Sequence, residues 1–310
     1  MSTHLPWAIV WLRHSLRLHD NPMIQRCIQE GYRPVVVYIT PSRELEIDRW
    51  GFTPLGPHRK RFLMESLIDL RSQLNDHGVN LLYLEGDVIE ELSRVCNALG
   101  APESVKLYAD REYAYFDQKI EAEVEAAFDV TWFHAQLLTN PDDLPFSVTA
   151  TPHIFTKFRG KIEKYVTIET SAEEAQWSKL SQQEAALSAS LQEYTKALPC
   201  DAKDTLPKDN RQAFDFCGGE TASLARLKDY LWNTEYVTTY KETRNGLIGP
   251  DYSTKFSAYL SLGCLSPKLV YHEIKRFEEE VVANQSTYWV IFEVLWREFF
   301  RYVCLLYTSP

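Results

Sequence analysis

The chain reads as an α/β domain followed by an all-helical one: a doubly wound parallel sheet leading into a helical segment. Three observations predict this. Five short apolar runs recur within residues 1–135, and stretches of helical periodicity separate most of them. The runs are apolar on both faces, as strands of a parallel sheet covered by helices must be. From about residue 216 the strand-like runs stop, and apolar residues recur at helical spacing to the end.

Trp7-Ala8-Ile9-Val10-Trp11-Leu12 is the first predicted strand. Asn21-Pro22 opens a helix, with proline near the first helical position, where its missing N–H costs nothing. Val35 to Ile39 is the second strand. His58 to Leu74 is an amphipathic helix with Phe62, Leu63, Leu67, Leu70 and Leu74 on one face, and Gly78 ends it. Leu81 to Leu84, Val105 to Ala109 and Val130 to Phe133 are the remaining strands. Helices over Val88–Leu99 and Tyr113–Phe128 alternate with them. The alternation fails at Asn140-Pro141-Asp142-Asp143-Leu144-Pro145-Phe146, a turn-rich stretch. Phe155–Tyr165 is a short helix, and residues 168–212, with Pro199 and Pro207, read as a surface connector. Helices are expected over Glu220–Trp232, Ser257–Leu262, Pro267–Glu280 and Trp289–Leu306. The expected division is an α/β domain over 1–135, a connector over 136–215 and a helical domain over 216–310.

At 310 residues the chain can bury a large core. Its net charge of -10 argues against general nucleic-acid binding, but residues 211–310 hold 11 Lys/Arg against 12 Asp/Glu, leaving room for a local basic groove. Aromatic content is high at 13%, which serves a packed core and also base stacking or a flavin site. The six cysteines have no CxxC spacing, so buried free thiols in a reducing compartment are expected. His14, His19 and His58 lack metal-ligand spacing, so no metal site is expected. No apolar run reaches the ~18 residues of a membrane span, and neither a signal nor a transit peptide is visible. A cytoplasmic monomer is the expectation.

The segment after the first strand carries no GxGxxG and no P-loop pattern. Its Arg13, Arg17 and Asp20 read as an ion-paired strand-to-helix turn. The most informative stretch is 240–307. Ser253-Thr254-Lys255-Phe256-Ser257 leads straight into an apolar helix, placing hydroxyls and free backbone N–H groups where a phosphate can sit. Some forty residues later Glu293, Trp296 and Arg297 share one amphipathic helix. A Ser-Thr turn alone is more often a helix cap, and Tyr240 or Arg244 alone a packing residue. The ordered set suggests a nucleotide cofactor beside a stacked base, with no catalytic triad or paired carboxylates.

These residues resemble the photolyase/cryptochrome family, and its DASH cryptochrome branch in particular. WLRHSLRLHDN is similar to the family's opening. GPHRKRFLMESLIDLRSQL resembles the helix that follows, and PDDLPFSVTATPHIFTKFRGKIEK the DASH interdomain stretch. STKFSAYLSLGCLSP and NQSTYWVIFEVLWREFFRYV are the most specific matches. The resemblance implies an antenna domain carrying 5,10-methenyltetrahydrofolate and a helical domain carrying FAD. It implies blue-light-driven splitting of cyclobutane pyrimidine dimers, a carbon–carbon lyase reaction, in damaged single-stranded DNA. It assigns Tyr240, Ser253, Thr254, Lys255, Phe256 and Ser257 to the FAD phosphates and Arg297 to the flavin side. Glu293 would contact the flipped base edges, Trp296 would stack on the lesion, and Arg244 would meet a DNA phosphate.

Three departures accompany the resemblance. Ser15 stands where the family usually has Asp. Asp117 falls where repair members have a folate-binding Glu. The family's helical domain also continues well past Tyr307, which implies a truncated or partial sequence that lacks the flavin-ring contacts. On that reading Trp289, Phe292, Trp296, Phe299 and Tyr302 are expected to be left uncovered. The other readings are a flavin photoreceptor without repair and a fragment with neither activity.

Overall fold

A computed structural model describes residues 5–100, 105–172, 175–180, 191, 195–198 and 211–308. Cys200, Pro199, Pro207 and the terminal Ser309-Pro310 lie outside them. The first strand is β1 (Trp7–Leu12), followed by α1 (Pro22–Gln29), β2 (Arg33–Pro41) and a single helical turn, α2 (Ser42–Leu45). Then come α3 (Pro57–Asp76), β3 (Leu81–Gly86), α4 (Val88–Leu99), β4 (Lys106–Asp110), α5 (Tyr115–Ala127) and β5 (Val130–Phe133). The sheet runs in the order β3-β2-β1-β4-β5, and every pair is parallel. Ile9 sits opposite Val35 on one side and Leu107 on the other. Helices start where the sequence caps them. Asn21 accepts from Ile24 N at 3.2 Å ahead of Pro22, and Asp87 accepts from Ile89 N at 2.9 Å.

The remaining helices are α6 (Phe155–Tyr165), α7 (Glu220–Lys228), α8 (Tyr240–Thr243), α9 (Ser257–Leu262), α10 (Pro267–Glu280) and α11 (Gln285–Thr308). The helix expected over Glu220–Trp232 breaks into α7 and one π-helical turn, Asp229–Asn233. α11 starts four residues earlier than expected, with Asn284 Oδ1 accepting from Ser286 N and Thr287 N at 2.7 and 3.0 Å.

The sheet has a core on each face. One cluster, with Ile9, Trp11, Val35 and Leu107, lies against α4 and α5. The other, with Val10, Leu12 and Tyr108, runs on without interruption through Phe158, Tyr259, Phe277 and Tyr302. The α/β and helical parts therefore share one hydrophobic core. Arg17 is fully buried in the joint, donating to Ala135 O at 2.8 Å and Gly263 O at 3.0 Å. Glu220, at the start of α7, accepts from Leu18 N at 2.6 Å, His19 N at 3.0 Å and His19 Nδ1 at 2.5 Å. Glu298 accepts from Leu138 N, Thr139 N and Thr139 Oγ1 at 3.0, 2.9 and 2.8 Å, pinning α11 to the chain after β5.

Three expectations change here. Arg17 does approach Asp20, at 3.8 Å, but Arg13 turns away to Glu121 at 2.5 Å and Asp117 at 3.0 Å. The aromatic face of α11 is not left bare. α6 covers it: Phe158 packs on Phe299 and Tyr302, with centroids 5.4 and 5.8 Å apart, and both partners are buried. Cys27, Cys96 and Cys264 are buried free thiols, whereas Cys304 is exposed. Ser15 is fully buried, and its hydroxyl has no hydrogen-bond partner among the described residues.

Candidate flavin and DNA site

A cavity of about 590 Å³ opens between α8, α9 and α11. That volume lies within the roughly 300–1,000 Å³ range of small-molecule sites. Tyr240, Thr254, Phe256 and Ser257 line one side, and Glu293 and Arg297 the other, with Arg244 at the same wall. Seven of the expected site residues, separated by up to 57 positions, thus meet around one space. Lys255 has φ 61, a left-handed turn that carries the chain from Thr254 into α9. Arg226 holds that turn from below, donating to Ser253 O at 3.3 Å and Thr254 O at 3.1 Å. Ser253 and Lys255 belong to the turn but not to the cavity wall.

Three arginines and one glutamate make the cavity electropositive: Arg244, Arg297 and Arg301 against Glu293. Among the described residues, the hydrogen-bond acceptors of Arg297 are neutral: Gln136 O at 2.8 Å, Gln136 Oε1 at 2.9 Å and Leu260 O at 3.2 Å. Burial, and then the neighbouring Arg301, bring its pKa down to about 9. A guanidinium does not give up its proton in proteins, so Arg297 keeps its positive charge beside the cavity. Burial, and then nearby Glu293, push the Tyr240 phenol up to about 12, which keeps its O–H a donor. Arg244 Nη1 reaches Glu293 Oε1 at 2.5 Å.

Trp296 lies elsewhere on α11. Its ring stacks on Phe155, centroids 3.7 Å apart and planes at 13°, and it is not part of the cavity wall. The sequence reading missed Arg226, Gln136 and Arg301. Arg301 had a signal, one helical turn beyond Arg297 on the same face. Gln136 had none, because it is brought in from the end of the sheet.

Asp117 lines a separate space of about 160 Å³ at the carboxyl ends of β1 and β2. Its Oδ1 already takes Arg13 Nη2 and Arg43 Nη2, each at 3.0 Å. Among the described residues, no group of three or more His, Cys, Asp or Glu could hold a metal ion, and no helix is long and apolar enough to cross a membrane.

Residues 8–179 match the DNA photolyase family. The chain belongs to that family. Within it, the DASH cryptochromes are similar throughout. The Synechocystis protein is 37% identical over 98% of this chain, and the Danio rerio protein 38% identical over 97%. The crystal structure of Synechocystis cryptochrome superposes with a TM-score of 0.86 at 35% identity, covering 99% of this chain and 63% of that one. A class III photolyase from Agrobacterium tumefaciens shares the fold, with a TM-score of 0.75 at 24% identity. This chain spans about 60% of the length of these relatives (61% of the Synechocystis protein and 58% of the Danio protein).

Proposed function

We propose that this chain takes part in FAD-dependent, blue-light-driven splitting of cyclobutane pyrimidine dimers in single-stranded DNA. The observation that carries the reading is the single electropositive cavity that joins the hydroxyl turn to Arg244, Glu293 and Arg297. Thr254 and Ser257 offer hydroxyls at the start of α9, Tyr240 offers a donor, and Arg297 offers a buried positive charge. This set fits the phosphates and one edge of FAD. When bound, FAD supplies light absorption and electron transfer, for which side chains have no equivalent.

The chain's own residues then divide the remaining work. Arg297 holds its charge against the cofactor through neutral acceptors, Gln136 and Leu260. Glu293, part-exposed at the mouth, presents carboxylate oxygens to the N–H edges of an extruded pyrimidine. Arg244 orients that carboxylate and can meet a strand phosphate. A single strand suits this mouth because its bases need no unpairing before they enter.

The test is a thymine-dimer single-stranded oligonucleotide incubated with the protein, FAD and a reductant, in blue light and in darkness. Dimer loss only in light is expected. No dimer loss in light with FAD bound would remove the repair reading. Failure to bind FAD at all would remove the cofactor assignment.

A further inference from the structure

Leu247 and Ile248 are the most exposed large apolar side chains among the described residues, at 88% and 87%. They form the tip of the loop that joins α8 to the hydroxyl turn. The loop is built to hold them there. Gly246 and Gly249 flank them and lie against the Tyr252 ring. A Cβ on Gly246 would fall 2.6 Å from Tyr252 Cγ, and one on Gly249 3.0 Å from its Cε2. Gly249 also has φ +125, open to glycine and strained for other residues. The buried Arg226 donates to Pro250 O at 2.9 Å and pairs with Asp251 at 3.2 Å, so the far limb is anchored from inside. Gly246 N bonds Thr243 O at 2.8 Å, anchoring the near limb.

Both feet of this loop, Arg244 and Thr254, line the electropositive cavity. The tip thus follows the cavity-lining Arg244 by three residues and precedes Thr254 by six, outside the cavity wall itself. A rigidly supported, exposed aliphatic pair, close in the chain to the cavity-lining Arg244, matches a surface that meets unstacked bases. Aliphatic wedges of this kind enter between bases when a neighbouring nucleotide is displaced. We propose that Leu247 and Ile248 form an apolar wedge that packs on the base beside the extruded lesion while Arg244 holds the phosphate. This inference rests on the DNA-binding reading of the cavity and extends it to a part of the chain that reading does not use.

The experiment uses the Leu247→Ser/Ile248→Ser double variant, which alters only solvent-facing side chains and should fold as the parent does. The probe is a single-stranded oligonucleotide carrying a thymine dimer with 2-aminopurine immediately 3′ to it, titrated at several salt concentrations. Binding by the parent should raise 2-aminopurine fluorescence as the base unstacks. The double variant should lose that rise and bind about tenfold more weakly at every salt concentration, with an unchanged salt slope. Arg244→Ala should instead lower the slope, which separates the phosphate contact from the wedge. Parent-like affinity and fluorescence in the double variant would overturn the wedge and leave the cavity reading standing. A change in self-association alone, with DNA binding intact, would make the tip a contact between copies and also overturn it. No DNA binding by the parent would overturn both readings.

Discussion

Arg244 Nη1 donates to Glu293 Oε1 across 2.5 Å, tying the end of α8 to the middle of α11 at the mouth of the cavity. Both side chains are about one-third exposed, 31% and 34%, so the pair adds little to stability and is free to exchange partners.

A strand phosphate and a base edge would divide this pair between them. Arg244→Ala should weaken binding of damaged and undamaged single strands alike and reduce the salt slope by about one. Glu293→Gln should weaken binding of dimer-containing strands only. Fluorescence-anisotropy titrations over a salt series measure both effects. Equal losses on both strands in Glu293→Gln would remove its base-reading role.

Trp296 is held by packing outside the cavity wall. Its ring lies flat on Phe155 and near Phe300, with centroids 3.7 and 5.5 Å apart. Trp296→Ala should cost about 2–3 kcal/mol of stability, below the ~3–5 for a fully buried aromatic because the ring is only half-buried. Trp296→Phe should recover most of it. Urea melts of the two variants give the comparison, and a stability loss under about 0.5 kcal/mol in Trp296→Ala would show that the stack carries no weight.

Glu220 joins the two halves of the molecule by accepting three hydrogen bonds from Leu18 and His19. Glu220→Ala leaves two backbone N–H groups in the joint without a partner and should destabilise the protein by about 3 kcal/mol. Glu220→Gln should cost less, since its amide oxygen can still accept. A melting temperature in Glu220→Ala equal to the parent's would show that the joint does not depend on this contact.

Burial, and then the neighbouring Glu112, push the Asp110 carboxyl up to about 7. The folded state then holds this proton more tightly than the unfolded chain, where an Asp titrates near ~3.9. Its stabilising contribution is complete below about pH 4 and is lost as the pH rises towards about 7. His134 has the opposite slope, because burial, and then Arg111, bring it down to about 4. The parent's own profile mixes the two, so the difference between Asp110→Asn and the parent is the diagnostic quantity. The variant should gain relative to the parent as the pH rises through this window, while its amide oxygen keeps the bond to Ala135 N, 2.8 Å in the parent. A pH-independent difference would contradict the assignment.

The sheet was legible because its strands are buried on both faces and leave unbroken apolar runs between capped helices. β1, β5, α4, α6, α9 and α10 fall on their expected residues. The cavity was legible because its residues sit in two short, ordered segments whose spacing survives folding. What was not legible depends on contacts between distant segments. The stripe Phe155, Phe158 and Ile162 marks an apolar face on α6, but nothing local says that it covers α11. The same holds for Gln136, whose backbone and side-chain oxygens both bind Arg297. The position of Trp296 followed from that covering, since its ring turns to Phe155 instead of the cavity.

The central claim is that the cavity bounded by Tyr240, Ser257, Glu293 and Arg297 is the flavin site, and filling it tests this most directly. Ser257 is exposed at the start of α9 and lines the cavity, so Ser257→Trp occupies the space without disturbing the core. FAD titrated into parent and variant, followed by quenching of flavin fluorescence, should saturate in the parent and weaken at least about tenfold in the variant. Equal affinity in the two proteins would place FAD elsewhere and contradict the claim.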